Sequence, residues 1–252
     1  MLPIERRNEI LQKLMLDGRV VVAELAEKYD VTEETIRRDL EKLEADGYAK
    51  KTYGGAVRND NTASEIPYTL RKQTNVTGKK YIAEIIGSLI EDGDSLLLDS
   101  STTAIFAIKS IFSKRNLTII TNSVEILLDL PSGNDWNVIS TGGQYRSEAM
   151  AFYGSAAEEI VSKYHADYAI LSCKGLDMEK GITDTREPFA QLKKTFLSSA
   201  KTVILAVDNT KFDKISFVKL GTLDGVDVVV TDVEPDEKWK KFFENKGIKL
   251  YY

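Results

Sequence analysis

Residues 31–43 (VTEETIRRDLEKL) place basic side chains and a threonine on the outward side of one predicted helix. Ile36, Leu40 and Leu43 recur at helical spacing, so they should face a core. Arg38 and Lys42 lie roughly opposite this apolar stripe, with Thr35 and Arg37 on its flanks. Guanidinium and ammonium donors on a short helix suit the base edges and phosphates of a DNA major groove. On periodicity alone, a solvated charged face is an equally good interpretation.

The segments around this helix favour the DNA-binding interpretation. Thr32 is a good N-cap for it, and helical patterns at residues 3–16 and 23–29 precede it. Helix, short turn and helix is the spacing of a helix-turn-helix unit. Two short strands around Gly54-Gly55 should follow and form a wing.

The net charge of −5 argues against indiscriminate binding to nucleic acid. Even residues 1–58 carry 11 Lys and Arg against 12 Asp and Glu. Any contact with DNA must therefore come from a local basic patch, in which the wing lysines would reach phosphates. The predicted patch, with few acids on the same face, consists of Arg37, Arg38, Lys42, Lys50, Lys51 and Arg58.

From residue 77 onward, apolar runs alternate with amphipathic segments, which predicts helices between the strands of a mainly parallel sheet. Uninterrupted runs such as VILAV and VVVT suit strands covered on both faces. The predicted organisation is a small winged helix-turn-helix domain (1–58), a polar linker (59–76) and an α/β domain (77–252). Ligands of such sheets bind at the carboxyl ends of the strands.

Five predicted strand ends carry hydroxyl, amide or cationic groups. Hydroxyls and backbone N–H groups in the first, DSSTT, suit a phosphate at a helix N-terminus, although N-capping by Ser and Thr is the better explanation for that turn alone. In the third, Gly142-Gly143 allow close approach and an arginine adds charge. The candidate residues are Asp99, Ser100, Ser101, Thr102, Thr103, Asn122, Ser123, Gly143, Arg146, Lys174, Asp208 and Lys211.

The segment VAELAEKYDVTEETIRRDLEKLEADGYAKKTYGGAV resembles the N-terminal winged helix-turn-helix of the DeoR-type bacterial transcriptional regulators. DSSTT, TNS, GGQYR, KGLD with GITD, and DNTKF resemble, in the same order, the effector-binding domain of that family. That domain is similar in fold to sugar-phosphate isomerases, which implies a phosphorylated sugar or polyol as ligand. The resemblance covers nearly the whole chain and implies a regulator, most often a repressor, of a carbohydrate-metabolism operon.

The resemblance also implies roles for individual residues. Thr35, Arg37, Arg38 and Lys42 would face operator DNA; with the helix cap and the wing, the expected DNA-binding residues are Thr32, Thr35, Arg37, Arg38, Lys42, Lys50 and Lys51. Residues 100–103 would hold the phosphate, with Lys211 pairing with it or with a hydroxyl, while the pocket is shaped by Asp99, Asn122, Arg146 and Asp208. Two positions depart from the family pattern. Glycine is common at Ser101, and a small residue is common at Lys174, where a solvated lysine is an equal alternative to a ligand contact.

Composition narrows the cofactors and the location. With one cysteine, Cys173, and one histidine, His165, the chain forms no internal disulfide and no Cys/His zinc site. These counts leave open a metal site built from carboxylates, but we expect no cofactor or metal besides the effector. No apolar run approaches the ~18 residues of a membrane span, and the first residues lack the apolar core of a signal peptide, so we expect a cytoplasmic protein. Two recognition helices on a pseudo-palindromic operator imply a homodimer or homotetramer.

An enzyme is the alternative from a different class: a sugar-phosphate isomerase or hydrolase with an added DNA-binding domain. Candidate bases are Asp99, Asp177, Asp184 and Glu187. The sequence places no pair of carboxylates for acid–base chemistry, so we expect a sensor that binds its ligand without converting it.

Overall fold

The computed structural model describes residues 1–59, 67–133 and 135–252. Contacts divide the chain into two compact units, Met1–Thr74 and Asn75–Tyr252. The predicted linker at 59–76 lies partly outside the described residues. Residues 75 and 76 of the predicted linker already begin the second unit. The described part of the linker before them contains a short helix, α4 (Tyr68–Gln73), whose Leu70 is buried in the core of the first unit. This part of the segment therefore belongs to the packed first unit.

The first unit is a helix-turn-helix followed by a wing, as predicted. Before α4, its elements are α1 (Pro3–Asp17), β1 (Arg19–Val21), α2 (Val22–Tyr29), α3 (Glu33–Ala45), β2 (Ala49–Thr52) and β3 (Gly55–Arg58). The strands form one antiparallel sheet in the order β1-β3-β2. Thr32 caps α3, because its Oγ1 accepts a hydrogen bond from the Thr35 N–H at 3.3 Å. The chain turns away after α3 at Gly47, whose φ of 81° suits glycine.

A buried ion pair joins α1 to α3 inside this unit. Arg6 Nε donates to Asp39 Oδ2 at 2.6 Å, and both residues are buried. Arg7 Nη1 lies 3.5 Å from the other oxygen of the same carboxylate. The pair fixes α1 against the inner side of α3, beside the apolar contacts of Ile36 and Leu40. The outer side of α3 is thereby directed to solvent.

The second unit is built on a seven-stranded sheet in which every pair of neighbours is parallel, as the α/β prediction requires. The order is β15-β14-β12-β9-β4-β5-β6. The strands of this sheet are β4 (Ser95–Leu98), β5 (Thr118–Thr121), β6 (Asn137–Ser140), β9 (Ala166–Leu171), β12 (Ala200–Ala206), β14 (Val228–Val230) and β15 (Lys249–Tyr251). The helices are α5 (Val76–Leu89), α6 (Thr102–Ser110), α7 (Val124–Asp129), α8 (Ser155–Ser162), α9 (Glu187–Ser198) and α10 (Glu237–Asn245).

Two smaller antiparallel sheets were not predicted. One is the hairpin of β7 (Gln144–Arg146) and β8 (Ala151–Tyr153); the other contains β10 (Gly175–Asp177), β11 (Gly181–Asp184) and β13 (Val218–Gly221). Segments such as QYR, GLD and GITD mix polar and apolar residues and lack the apolar runs of the central strands, so the pattern of apolar residues does not reveal them. The hairpin follows β6 in the chain, and the strands of the other small sheet follow β9 and β12. Both small sheets therefore extend the loops at the carboxyl ends of the parallel strands.

No helix in the described ranges is both long enough and apolar enough to cross a membrane.

The close approach of β3 to β1 should make Gly55, but not its neighbour Gly54, intolerant of a side chain. A Cβ on Gly55 would lie 1.9 Å from the Val20 carbonyl oxygen, whereas one on Gly54 would have nothing within 4 Å. We expect Gly55→Ala to destabilise the first unit by about 1–3 kcal/mol through this overlap. Gly54→Ala should change it by less than about 0.5 kcal/mol. Amide hydrogen exchange in β1 and β3 of the full chain measures both, and equal effects would contradict the packing described.

Candidate nucleic-acid interface and effector site

The predicted DNA-binding side chains of α3 lie on its solvent side, but they are paired with acids of the same helix. Arg37 Nη2 donates to Glu33 Oε2 at 2.8 Å, and Arg38 Nε donates to Glu34 Oε1 at 3.3 Å. Lys42 is exposed on the same side. Exposed pairs of this spacing are worth about 0.3–0.5 kcal/mol, so a phosphate or a base edge could displace the carboxylates at little cost.

The wing continues this arrangement. Lys51 Nζ donates to Glu41 Oε1 at 2.8 Å, and the Lys51 N–H donates to Glu44 Oε1 at 2.8 Å. Lys50 is exposed on the same strand. These contacts bring Lys51 to the α3 surface, and Thr32 and Thr35 lie at the N-terminal end of that surface.

The expectation of few acids on this face is wrong. Carboxylates accompany the basic residues because the i and i+4 positions of α3 share one side, a spacing that links Glu33 with Arg37 and Glu34 with Arg38. Arg58 also contributes less to the patch than predicted, since it is half-buried and its Nη1 donates to the Met15 carbonyl at 3.4 Å.

The parallel sheet brings the predicted effector residues to one edge. Strands β5, β4, β9 and β12 are adjacent in that order, so the loops that follow them are neighbours. Asp99 and residues 100–103 follow β4; the other groups follow β5 (Asn122, Ser123), β6 (Gly143), β9 (Lys174) and β12 (Asp208, Lys211). Arg146 ends β7 in the small hairpin.

Asp99 organises the turn between β4 and α6. Its Oδ1 accepts from the Ser101 N–H at 2.9 Å, and its Oδ2 accepts from the Ser172 N–H at 3.0 Å. Ser101 is the N-cap of α6, because its Oγ accepts from the Ala104 N–H at 3.1 Å. The first-turn N–H groups of a helix have no partner within it, and here they belong to buried Thr102 and Thr103. Capping and anion binding thus use different groups of the same turn.

Lys193 on α9 is buried beneath this edge and was not predicted. Its Nζ donates to the Ser172 carbonyl at 2.6 Å and to Asp184 Oδ2 at 2.7 Å, and lies 3.3 Å from Asp99 Oδ2. An ammonium group has three N–H donors, so these three acceptors satisfy all of them. The available signal was a lysine on the apolar face of α9, four residues after buried Phe189.

Burial and neighbouring charges shift the pKa values of Asp184, Lys193 and Cys173. Burial favours the neutral form of Asp184, but the ammonium groups of Lys193 and Lys174 outweigh it and hold the pKa of this carboxyl below its usual range. Burial likewise lowers the pKa of Lys193, yet the carboxylates of Asp184 and Asp99 raise it above the ordinary value. Burial raises the pKa of Cys173 to about 12, so this buried residue is a thiol at neutral pH.

Asn122 presents an acceptor at the end of β5. Its Nδ2 donates to the Phe152 carbonyl at 2.8 Å, and the Phe152 N–H donates to the Asn122 carbonyl at 2.8 Å. The amide is therefore oriented, and its Oδ1 is buried with no hydrogen-bond partner among the described residues. Ser123 caps α7, because its Oγ accepts from the Ile126 N–H at 3.2 Å. An unpaired buried acceptor fits a hydroxyl donor of a ligand.

The loop after β6 runs close to the neighbouring hairpin. Gly143 has φ 108°, and a Cβ there would lie 2.6 Å from the Tyr153 carbonyl oxygen. Only glycine fits this path. Arg146 is half-buried, with its Nε 3.5 Å from Glu148 Oε2.

At the end of β12, Asp208 accepts hydrogen bonds from the N–H and the hydroxyl of Thr210, the former at 3.0 Å. Lys211 Nζ lies 3.7 Å from Asp208 Oδ2. Burial favours the neutral carboxyl, but Lys211, the Thr210 hydroxyl and buried Lys79 outweigh it and lower the pKa of Asp208. Lys79 on α5 was not predicted. Lys174 is half-buried after β9, and its N–H donates to the Thr183 carbonyl at 3.0 Å.

Removing the Lys193 ammonium should destabilise the second unit strongly. Lys193→Met would leave the carboxylates of Asp99 and Asp184 buried without their cation, which costs about 3–5 kcal/mol. Lys194→Met, at the exposed neighbouring position, should cost less than about 0.5 kcal/mol. Urea unfolding of the full chain, followed by circular dichroism, compares the two. Similar midpoints for both variants would show that the buried cluster does not stabilise the fold.

Acid should destabilise the second unit through its buried carboxylates. The folded-state pKa values of Asp184 and Asp208 are lowered. Their contribution is therefore complete above the unfolded value of about 3.9 and is lost as the pH falls through the folded values. Urea midpoints measured from pH 6 down to pH 3 should fall, and fall less for Asp208→Asn than for the wild type. A parallel fall in both proteins would exclude Asp208 as a contributor.

Comparison with known proteins agrees with this two-part organisation. Residues 6–62 match the model of the DeoR-like helix-turn-helix domain, and residues 74–233 match that of the DeoR C terminal sensor domain. Among solved structures, ribose 5-phosphate isomerase A from Methanocaldococcus jannaschii is 15% identical over 55% of each chain, with a TM-score of 0.40. A similarity at this level carries no argument about function.

Full-length relatives match nearly the whole chain. The uncharacterized HTH-type transcriptional regulator YulB of Bacillus subtilis is 37% identical over 99% of this chain and 96% of its own length. The HTH-type transcriptional regulator GolR of Listeria innocua is 30% identical over 99% and 98%. The glycerol-3-phosphate regulon repressor of Escherichia coli is 29% identical over 98% and 97%. With an exposed recognition helix, a wing and a polar strand edge in place, the chain belongs to the DeoR family of transcriptional regulators.

Proposed function

We propose that this regulator binds operator DNA through α3 and the wing, and that a phosphorylated sugar or polyol bound at the carboxyl edge of the parallel sheet weakens that binding. The proposal rests on the polar and charged groups that lie together at the carboxyl ends of the parallel strands. This edge combines the first turn of α6, oriented by Asp99, with the oriented amide of Asn122 and the half-buried cations of Lys174 and Lys211.

The chemistry of these groups supports a ligand with an anionic end and hydroxyls. Helix N-terminal amides and the hydroxyls of Ser100, Thr102 and Thr103 suit phosphate oxygens. Asn122 Oδ1 is an acceptor, so it suits a hydroxyl and not a phosphate oxygen. The names of relatives agree, since one is a glycerol-3-phosphate regulon repressor, and others are a putative aga operon repressor and an L-fucose operon activator. Most such names favour repression, which we adopt here.

We infer that the site senses its ligand without converting it. Asp99 and Asp184 each accept backbone N–H hydrogen bonds and face Lys193, and the pKa of Asp184 is lowered. A carboxylate held in this way is a poor general base near neutral pH. Asp177 accepts the N–H groups of Glu179 and Lys180 within a turn, and Glu187 is exposed.

Coupling of about 3 kcal/mol between the two sites would weaken operator binding about a hundredfold, within the usual allosteric range. We expect two or four copies to act together, because paired recognition helices on a pseudo-palindrome raise the affinity of so small a DNA-binding module. No cofactor or metal is required for binding of this kind. Since its target is operator DNA, we place the protein in the cytoplasm.

A thermal-shift screen of the full chain tests the effector. Glycerol 3-phosphate, fructose 1-phosphate, galactitol 6-phosphate and other sugar and polyol phosphates are compared with their unphosphorylated forms. A ligand at about 100 times its dissociation constant stabilises by about 2.7 kcal/mol, which is readily seen. We expect one phosphate to raise the melting temperature and its free form not to do so. A response to free sugars alone, or to none of the panel, would contradict the proposal.

A charge reversal locates the anion. Ser100→Asp places a carboxylate beside the first turn of α6 and should weaken binding of that phosphate by about tenfold or more through like-charge repulsion. Ser132→Asp is the matched control, because Ser132 lies in an exposed turn before β6, at the opposite edge of the parallel sheet. Equal affinities in the two variants would place the phosphate elsewhere.

A further inference from the structure

The second unit begins at an asparagine in an unusual conformation. Asn75 has φ 48° and ψ 48°, the left-handed region, and its peptide bond with Thr74 joins the two units. Its Oδ1 accepts from the Gly78 N–H at 3.3 Å, which makes it the N-cap of α5. Its Nδ2 donates to Asp232 Oδ2 at 2.7 Å, a residue 157 positions away in the chain. The first residue of the unit is therefore held from both sides of its amide.

The partner of Asn75 also holds the loop that carries Asp208 and Lys211. Asp232 follows β14, next to β12 in the sheet, and its Oδ1 accepts from the Asn209 N–H at 2.7 Å. One carboxylate thus bonds the start of the unit with one oxygen and the candidate effector loop with the other. Both hydrogen bonds are direct and of ordinary length. The path from the start of the unit to the loop therefore contains only Asn75, Asp232 and Asn209.

Two further features hold α5 against the same loop. Lys79 lies one turn into α5, is 4% exposed, and acts on the charge of Asp208. A Cβ on Gly78 would lie 2.3 Å from Asp232 Oδ2, so a side chain there would displace the carboxylate. The N-terminal turn of α5 is therefore fitted to the loops after β12 and β14 by hydrogen bonds, charge and the absence of a side chain.

We propose that Asp232 couples the effector site to the DNA-binding unit by passing the state of the 208–211 loop to Asn75. This inference rests on the proposed function of that loop. An anion that pairs with Lys211 competes with Asp208 for it, which changes the loop that positions the Asn209 N–H. Asp232 then shifts or loses one of its two bonds, and the residue that anchors the joint between the units changes with it. A coupling of this kind needs a physical element that both sites bias, and the shared carboxylate is one.

Asn75→Asp breaks the path, because it removes the amide donor and places a second carboxylate against that of Asp232. Aspartate tolerates the left-handed region and caps a helix as well as asparagine does, but it cannot donate to Asp232. Asn116→Asp is the matched control, since Asn116 also has a left-handed φ, of 54°, and is exposed. Gly78→Ala would overlap both the Asp232 carboxylate and the Asn75 amide, because a Cβ there would lie 2.3 Å from Asp232 Oδ2 and 2.6 Å from Asn75 Nδ2. It therefore tests the same path without adding charge.

The full chain is tested with a DNA duplex selected from a random-sequence library and with the phosphates named above. Each protein is measured for its duplex affinity without phosphate, for its affinity for the phosphate, and for duplex affinity at saturating phosphate. In the wild type and Asn116→Asp we expect the phosphate to weaken duplex binding by about tenfold to a hundredfold. In Asn75→Asp and Gly78→Ala both separate affinities should stay within about threefold of the wild type, while the weakening falls below about twofold.

A measurement without ligand checks the physical connection itself. Amide hydrogen exchange in residues 207–212 should rise in Asn75→Asp, because Asp232 no longer bonds both partners, and should not rise in Asn116→Asp. Unchanged exchange there, or full phosphate response in Asn75→Asp and Gly78→Ala, overturns the coupling role of Asp232 and leaves the proposed function intact. A wild type that binds none of the phosphates overturns the proposed function itself, and the inference falls with it.

Discussion

The candidate effector site, in the loops at the carboxyl ends of the parallel strands, depends on the buried ammonium of Lys193. This ammonium joins the turn after β4, the end of β9 and the end of β11 through Asp99, Ser172 and Asp184. Parallel strands bring these loops to one edge, but each loop could still take several paths. A fully buried charge strongly favours the one arrangement that supplies its three acceptors, because any other leaves an uncompensated ion in a medium of low polarity. The orientation of the α6 first turn follows from this arrangement.

The two units use charge in different ways. In the second unit the carboxylates of Asp99 and Asp184 are buried and pair with the buried ammonium of Lys193, so they fix the positions of their loops. On α3 the carboxylates of Glu33, Glu34 and Glu41 are exposed, and each pairs with a basic residue at little energetic gain. These pairs are easily exchanged for contacts with another molecule. The buried ion pairs of the second unit therefore hold its loops in place, whereas the exposed ion pairs on α3 can exchange their partners.

Much of the fold was predictable from the spacing of apolar residues along the chain. The helix-turn-helix, the wing, and the parallel sheet follow from apolar spacing and from turn residues such as Thr32 and Gly47. The grouping of the candidate effector residues was predictable, because loops that follow parallel strands lie at the same end of the sheet. The acids on α3 were misjudged, since the sequence shows their spacing but not which side chains they pair with. The burial of Lys193 and Lys79 was not predicted, because lysine is usually exposed and the sequence does not show which distant carboxylates lie near them. The specific roles of Ser100 and Arg146 stay predictions.

The paired acids of α3 have a consequence for how the protein would search a genome. Affinity for random DNA comes from the release of counterions when lysine and arginine replace them at phosphates. A carboxylate beside each arginine supplies an internal counterion, so a loosely docked duplex gains little by approaching. Only a sequence whose base edges compensate for displacing these carboxylates would hold the helix. Residence on wrong sites would then be short, and binding to the right site would depend less on salt than its number of basic residues suggests.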